Sequence, residues 1–238
     1  MKKFFATIGL CIFTLILSLN AYAQQGEWAG IVKYKLTWTG NVPQGVPEEW
    51  QTKVYKNLEG GYDFNMLMFG AKYIANSDSK NFMILFDFSS IPLEGVQGKW
   101  YIKEKISDDD MKKAKYEYTG KTKQIAGLEC QEVKCTFKEK DENGETTREE
   151  IVYVTKEIGP KVDVYGYPGL DAFPMEYPIK VTNEINVNLT ASELLKGKVK
   201  EEDLLLETGY EEITEEDFQD MMETIKQAYG GGGDDDDI

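Results

Sequence analysis

Short segments in which apolar and polar residues alternate recur along this chain, and they restrict the fold more than any other feature. Within residues 31–38, Val32, Tyr34, Leu36 and Trp38 alternate with lysine and threonine. A period of two is that of a half-buried β-strand. Clusters of Asp, Ser, Gly or Pro separate most segments, which is the spacing of a meandering antiparallel sheet. The other predicted strands are 51–57, 62–69, 71–76, 82–88, 99–106, 115–118, 175–182 and 185–189.

Two turns are predicted from the residues that accept unusual backbone angles. Residues 128–138 and 146–155 flank the dipeptide Asn143-Gly144, which accepts the positive φ values of a type I′ turn, and together they predict a β-hairpin. The dipeptide Gly60-Gly61 predicts a tight turn before the strand at 62–69.

One long helix is predicted near the C-terminus. Thr214 and Asp217 form a capping box, and Gly230 follows the last residue at helical spacing. A shorter helical turn is predicted from Thr190, with Glu193 completing a second capping box. We expect the apolar faces of both helices to pack on the sheet. The apolar face of the long helix consists of Phe218, Met221, Met222, Ile225 and Tyr229.

The N-terminus reads as a secretory signal peptide of residues 1–23. Lys2 and Lys3 precede an apolar stretch, and Ala21-Tyr22-Ala23 forms a small-x-small cleavage site. The alternative is a membrane anchor, but the stretch is shorter than the ~20 residues that span a bilayer. We therefore expect a periplasmic or secreted protein without a transmembrane anchor. Its parts are a single domain of residues 24–229 and a flexible acidic tail of residues 230–238.

Charge and the absence of histidine exclude several classes of function. Without Lys2 and Lys3 the chain has 25 basic and 42 acidic residues, a net charge of −17. This charge argues against nucleic acid as a partner, because phosphate binding needs a basic surface. The chain has 0 histidines, which excludes the Ser-His-Asp triad and nearly all zinc enzymes. We expect no metal, no cofactor and no catalytic residue. Catalysis by a pair of Asp or Glu carboxylates is the alternative that the composition leaves.

Cys130 and Cys135 are the cysteines outside the signal peptide, and their spacing decides between several uses. In an extended segment their Cα atoms lie ~16 Å apart, whereas a disulfide allows at most ~7 Å. Their odd spacing also directs the side chains to opposite sides of a strand, so they do not share a metal ion. Buried, unpaired thiols are the favoured interpretation, and an intermolecular bridge is the alternative.

Three segments in the C-terminal half resemble a known family. They are residues 119–137 with the pattern Thr-Gly…Ile-Ala-Gly-x-x-Cys, residues 166–181 with a glycine-proline loop, and residues 201–214 with Gly-Tyr after a closing strand. Together they resemble an uncharacterised family of exported proteins from Gram-negative envelopes of the Bacteroidetes type, related to the outer-membrane lipoprotein carrier superfamily. The resemblance implies a mainly β fold, a strongly curved antiparallel sheet or unclosed barrel, covered by helices and able to hold acyl chains. The C-terminal position of the helix departs from the family pattern.

Two predicted strands are apolar on both sides, which suggests a cavity. Residues 62–69 and 82–88 carry Met, Phe, Leu and Ile at both even-numbered and odd-numbered positions. Such strands need cover on both sides, or one side lines an enclosed apolar space. Ordinary packing between a helix and a loop is the alternative. The candidate lining residues of a ligand cavity are Trp38, Phe64, Met66, Phe82, Ile84 and Phe86.

Three classes of function follow from these observations. The first is a non-enzymatic periplasmic binding or carrier protein for a lipid, a lipoprotein acyl chain or another apolar ligand. The second is a structural or interaction protein of the cell envelope without a ligand cavity, which would expose an apolar patch or a sheet edge. The third is a carboxylate-dependent hydrolase, for which the sequence nominates no pair of acids.

Overall fold

A single twelve-stranded sheet and one α-helix make up most of the structure, a computed structural model. It describes residues 28–229 without residues 43, 67–68, 108, 110, 112–113, 142–143, 159–165 and 183, and without the side chains of 62–70 and 139–145. The strands are β1 (Ala29–Thr39), β2 (Glu49–Tyr55), β3 (Leu58–Met66), β4 (Phe69–Asn76), β5 (Asn81–Asp87), β6 (Lys99–Lys105), β7 (Ala114–Ile125), β8 (Leu128–Asp141), β9 (Gly144–Thr155), β10 (Phe173–Lys180), β11 (Asn186–Lys196) and β12 (Glu211–Glu212). A 3₁₀ helix (Glu201–Leu204) precedes β12, and helix α1 (Glu215–Tyr229) follows it.

The sheet has the order β12-β6-β5-β4-β3-β2-β1-β11-β10-β9-β8-β7 and is not closed into a barrel. All neighbours are antiparallel except β12, which runs parallel to β6. The sheet curves strongly, because Cα atoms of β7 and β11 come within 8 Å of each other although three strands lie between them. Lys123 of β7 also forms an ion pair of 2.7 Å with Glu176 of β10. The predicted fold class, a curved and unclosed antiparallel sheet with a C-terminal helix, is confirmed.

The two sides of the sheet from β1 to β6 follow from the strand register. Face A is the side of Val32, Thr52, Gly61, Tyr73 and Ile84, which lie opposite one another in successive strands. Face B is the other side. Because side chains alternate along a strand, the odd-numbered residues of β1 and β5 lie on face B. Face A of β1 is apolar and buried, as its alternating sequence predicts.

The predicted turn at Gly60-Gly61 is wrong, because both glycines lie inside β3. The chain reverses instead at Lys56 and Asn57, where Lys56 takes a φ of 52°. Gly60 and Gly61 leave room for neighbours on both faces. A Cβ at Gly60 would lie 2.8 Å from Cδ2 of Leu204 on face B, and one at Gly61 would clash with Tyr73 on face A.

Other predicted elements of the C-terminal half differ in type or length. The helical turn at Thr190 is wrong, because Thr190 lies in β11 between its partners Lys35 and Glu176. Pairing with strands on both sides outweighs the local capping signal there. Residues 201–214 form a 3₁₀ helix, a loop and the two-residue β12 in place of a closing strand. Strand β7 is also longer than predicted.

The hairpin and the long helix agree with their predictions. β8 and β9 pair in an unbroken antiparallel register up to Asp141 and Gly144, although Asn143 itself lies outside the described residues. Helix α1 begins at the predicted capping box, since Thr214 Oγ1 accepts a hydrogen bond from the Asp217 N–H at 3.0 Å. In return, Asp217 Oδ2 accepts one from the Thr214 N–H at 3.1 Å. Among the described residues, no helix has the length and apolar character to cross a bilayer.

The core divides into two main clusters. Cluster 1 lies between β1, β2 and β8–β11, and it includes Tyr34, Tyr177 and Tyr167, the last from the loop after β9. The Tyr167 hydroxyl lies 2.8 Å from Glu150 Oε2 and 2.7 Å from the Pro178 carbonyl oxygen and shares its one proton between these acceptors, which fixes Tyr167 to the sheet. Cluster 2 lies between β5, β6 and α1.

Cys130 and Cys135 are both buried and free. Both belong to cluster 1, and the pairing of β7 with β8 shifts register between the positions of the two cysteines. The opposite directions of their side chains stay a prediction. Burial raises the pKa of Cys130 to about 11 and that of Cys135 to about 12. The predicted unpaired thiols are therefore confirmed, and their protonation makes them poor nucleophiles.

Candidate functional site

The candidate site is an apolar strip on face A of β5, formed by Phe82, Ile84 and Phe86. Their alternate positions place all three side chains on one side, and Ile84 pairs with Tyr73 of β4. Phe82 packs against cluster 1, Ile84 packs against cluster 2, and Phe86 is a buried member of cluster 2. The strip therefore joins the two clusters across the sheet.

Helix α1 covers one end of the apolar strip. The rings of Phe86 and Phe218 stack with centroids 4.3 Å apart, and Ile225 is the buried side chain of the helix. Met221 and Met222 complete its contact with cluster 2 and stay partly exposed. The helix thus lies on face A through a narrow apolar surface.

The structure brings some of the predicted lining residues together and separates others. Phe82 and Ile84 are partly exposed, and Phe86 is buried beneath α1. Trp38 lies at the end of β1, with three strands between β1 and β5, and packs against cluster 1. Its indole Nε1–H donates a hydrogen bond of 2.7 Å to the Pro47 carbonyl. Phe64 and Met66 lie in β3, where the side chains are outside the described residues.

Sequence reasoning missed the residues that enclose the Phe86 end of the strip together with α1. Phe88 is fully buried, and Ile91, Val96 and Ile102 pack around it with Phe86. The indole Nε1–H of Trp100 donates to the Val96 carbonyl at 2.8 Å, which holds the β5–β6 loop against the strip. The helical spacing of apolar residues in α1 indicates that the helix covers an apolar surface. The spacing does not indicate which strands form that surface.

A polar cavity of about 390 Å³ lies beside the strip, between β6 and the start of α1. Ile102 and Ile213 contribute its apolar part, and the rest of its lining is charged or polar. Two of its carboxylates already have partners, because Glu212 accepts from Tyr101 and Asp217 from Thr214. The charged lining residues are Lys103, Glu104, Glu212, Glu215 and Asp217.

Buried carboxylates of the described chain are engaged in structural networks. Glu59 is 2% exposed and accepts a hydrogen bond of 3.3 Å from the Tyr73 hydroxyl. Glu132 accepts from Tyr153 at 2.7 Å, from Lys121 at 3.0 Å and from Thr119 at 2.9 Å. Five strands of the sheet lie between β3 and β8, so these two acids do not form a catalytic pair.

The electrostatics of Glu132 are those of a stabilised anion. The hydroxyl of Tyr153 and the ammonium of Lys121 hold the pKa of Glu132 below its usual range. A general acid would need the opposite shift. The described residues also contain no group of three or more Cys, Asp and Glu side chains placed to hold a metal ion.

Comparison with protein-family models and with curated proteins finds no match to this chain. The geometry of the apolar strip and its cover is therefore the basis for a functional proposal.

Proposed function

We propose that this protein is a non-enzymatic binding or carrier protein for an apolar ligand, such as a lipid or the acyl chain of a lipoprotein. The observation that carries the proposal is the apolar strip, where Phe82 and Ile84 stay partly exposed between two well-packed clusters. Phe82 and Ile84 each pack against a cluster without being fully buried by it, so their exposed apolar surface offers contact area to an apolar guest. Trp38 lies further along face A, beside cluster 1.

Binding of this kind needs no catalytic group. Burial of an acyl chain yields ~0.8 kcal/mol per methylene, so a chain of moderate length has enough affinity from the hydrophobic effect alone. Met221 and Met222 border the strip on the helix side. Their flexible thioether side chains suit a surface that repacks around ligands of different shape.

Export to the periplasm is part of the same proposal. The signal-peptide pattern of residues 1–23 and the resemblance of the C-terminal half to the carrier-related family support it. In that compartment a lipid or a lipoprotein acyl chain must cross water between two membranes, and a protein with an apolar site shields it from water.

Titration with a dansylated fatty acid tests the proposal. Ile84→Glu puts a charge in the strip and should weaken binding at least ~10-fold, since an unpaired charge in an apolar site is costly. Ile151→Glu is the matched control, because Ile151 is 46% exposed on β9 and should bind like the wild type. Ile84→Ala removes apolar contact area without adding a charge, so weaker binding by this variant reports lost contact with the ligand and not misfolding caused by a buried charge. Absence of binding by the wild type, or equal affinity of both glutamate variants, contradicts the proposal.

A second candidate function, an envelope interaction protein, is favoured by one observation. Strand β7 is at the edge of the sheet, and its residues 117–124 are exposed. An edge strand offers hydrogen-bonding groups to a partner strand, although the bulge between Tyr118 and Thr122 and the nearby Lys121 and Lys123 weaken such pairing. Cross-linking in the native envelope tests this function, and a chain that stays uncrosslinked counts against it.

A further inference from the structure

The C-terminal segment contacts both faces of the sheet at its edge. We name residues 205–229 the C-terminal clasp. On face B, Glu207 forms an ion pair with Lys72 of β4. The ring of Tyr210 lies between two ammonium groups, 5.9 Å from Nζ of Lys72 and 5.4 Å from Nζ of Lys99. Leu85, whose register neighbour on β4 is Lys72, is 1% exposed.

The clasp then turns around β6 and adds β12 as the outermost strand of the sheet. Glu211 and Glu212 form β12 beside Trp100 and Tyr101, and the Tyr101 hydroxyl donates to Glu212 at 2.8 Å. The Ile213 N–H donates to the Tyr101 carbonyl at 3.0 Å, after which α1 runs onto face A. The same segment therefore covers face B with a polar strap and face A with the helix that covers the Phe86 end of the apolar strip.

Charge complementarity holds the strap in place. The clasp has eight acidic residues and one basic residue, Lys226, whereas β6 has Lys99, Lys103 and Lys105 against one glutamate. The Lys72–Glu207 ion pair is partly accessible to solvent, since the side chain of Glu207 is 56% exposed and that of Lys72 is 21% exposed. Exposed ion pairs shift an equilibrium by a factor of only about 1.4 to 5. In the helix, one side chain, Ile225, is buried.

We propose that the C-terminal clasp is an electrostatic latch, which opens as a unit when ionic strength weakens its contacts with Lys72 and Lys99 and thereby uncovers the Phe86 end of the apolar strip. Opening of the latch is a property of the chain alone. Its role as a gate for ligand rests on the proposed binding function.

Hydrogen exchange of the full chain, followed by mass spectrometry without ligand, tests the latch. Raising NaCl from about 0.01 M to about 1 M shortens the Debye length from ~30 Å to ~3 Å. Exchange of the α1 amides should become about 2- to 5-fold faster, while exchange of the β1 amides stays unchanged. Glu207→Gln should speed α1 exchange by about 1.4- to 5-fold at low salt and reduce the response to salt. Tryptic cleavage after Lys226 gives an independent measure of opening.

Glu193→Gln is the matched control, because it removes the exposed Lys33–Glu193 ion pair of 2.7 Å, which does not involve the clasp. It should leave α1 exchange unchanged. Two results would refute the latch: an α1 exchange rate that changes neither with salt nor with Glu207→Gln, or an equal effect of Glu193→Gln. An α1 exchange rate no faster than that of β1 would also refute it, because the helix would then open only by global unfolding.

The gate is tested separately with the dansylated fatty acid. If opening is required for binding, Glu207→Gln raises the apparent affinity by the same factor as it raises opening. An unchanged affinity with faster opening refutes the gate and leaves the latch intact. Absence of binding by every variant refutes the proposed function, while the exchange data still decide whether the latch exists.

Discussion

The ring of Tyr73 in β4 fills the space above Gly61 in β3. A Cβ at residue 61 would lie closer than 3.0 Å to Cε1 of Tyr73 and to Cζ2 of Trp50. The rings of Trp50 and Tyr73 are nearly parallel, with centroids 6.5 Å apart, so they meet over the glycine. A residue that looks like a turn former in the sequence thus allows two aromatic rings to pack on face A.

Gly61→Ala should destabilise the fold by ~1–3 kcal/mol, because the added methyl group displaces a packed ring. Gly61 does not have a positive φ, so backbone strain does not contribute. Urea denaturation gives the free energy of unfolding. In a Tyr73→Leu background the same substitution should cost less, since the nearest ring atom is gone. An equal cost in both backgrounds would show that the contact with Tyr73 is not the cause.

Thr214→Ala should destabilise the start of α1 by ~1 kcal/mol, because the hydroxyl caps the Asp217 N–H. Hydrogen exchange of the first helical turn should be about 5-fold faster. Thr224→Ala is the matched control, as Thr224 is exposed within the same helix and alanine favours the helix there. Equal exchange in the two variants would argue against the cap.

Glu132→Gln should lower stability at pH 7, and the difference from wild type should shrink at acid pH. The pKa of Glu132 is held below its usual range, so the folded state binds fewer protons than the unfolded one. Its stabilisation is present above the unfolded value of ~4.3 and is lost as pH falls through the folded pKa. Urea midpoints between pH 7 and pH 2 measure this.

Glu129→Gln provides the comparison for that titration, because Glu129 is exposed on the same strand. Because its side chain is exposed, Glu129→Gln should change the urea midpoint at pH 7 less than Glu132→Gln does. A constant difference between wild type and Glu132→Gln down to pH 2 would indicate a packing effect instead of a charge effect.

Native Cys130 and Cys135 should react with iodoacetamide at pH 8 at least ~100-fold more slowly than in urea, because the thiolate is the reactive form. Burial raises the pKa values of both thiols, to about 11 and about 12. Mass spectrometry identifies the modified residue. Rapid labelling of either cysteine in the folded protein would show that its part of β8 is accessible.

Part of the candidate site was predictable from local pattern. The alternation in residues 82–88 places Phe82, Ile84 and Phe86 on one side of a strand, and the structure agrees. The contact of Phe86 with Phe218 was not predictable, because about 130 residues separate them and spacing within α1 says nothing about its target. The separation of Trp38 from the strip was not predictable either, because the order of strands in the sheet decides which residues are its neighbours.

The sequence by itself determined the features that depend on neighbouring residues: the strand periodicity of β1 and β5, the cap of α1, and the mainly β class. Tertiary structure decided which strands pair, that Gly60 and Gly61 lie within β3, that Thr190 belongs to a strand, and that residues 205–229 enclose the sheet edge. The physical reason is that side-chain direction and capping depend on residues a few positions apart. Pairing and cover are set by contacts between residues far apart in the chain, where the free energy of burial and strand pairing exceeds local preference.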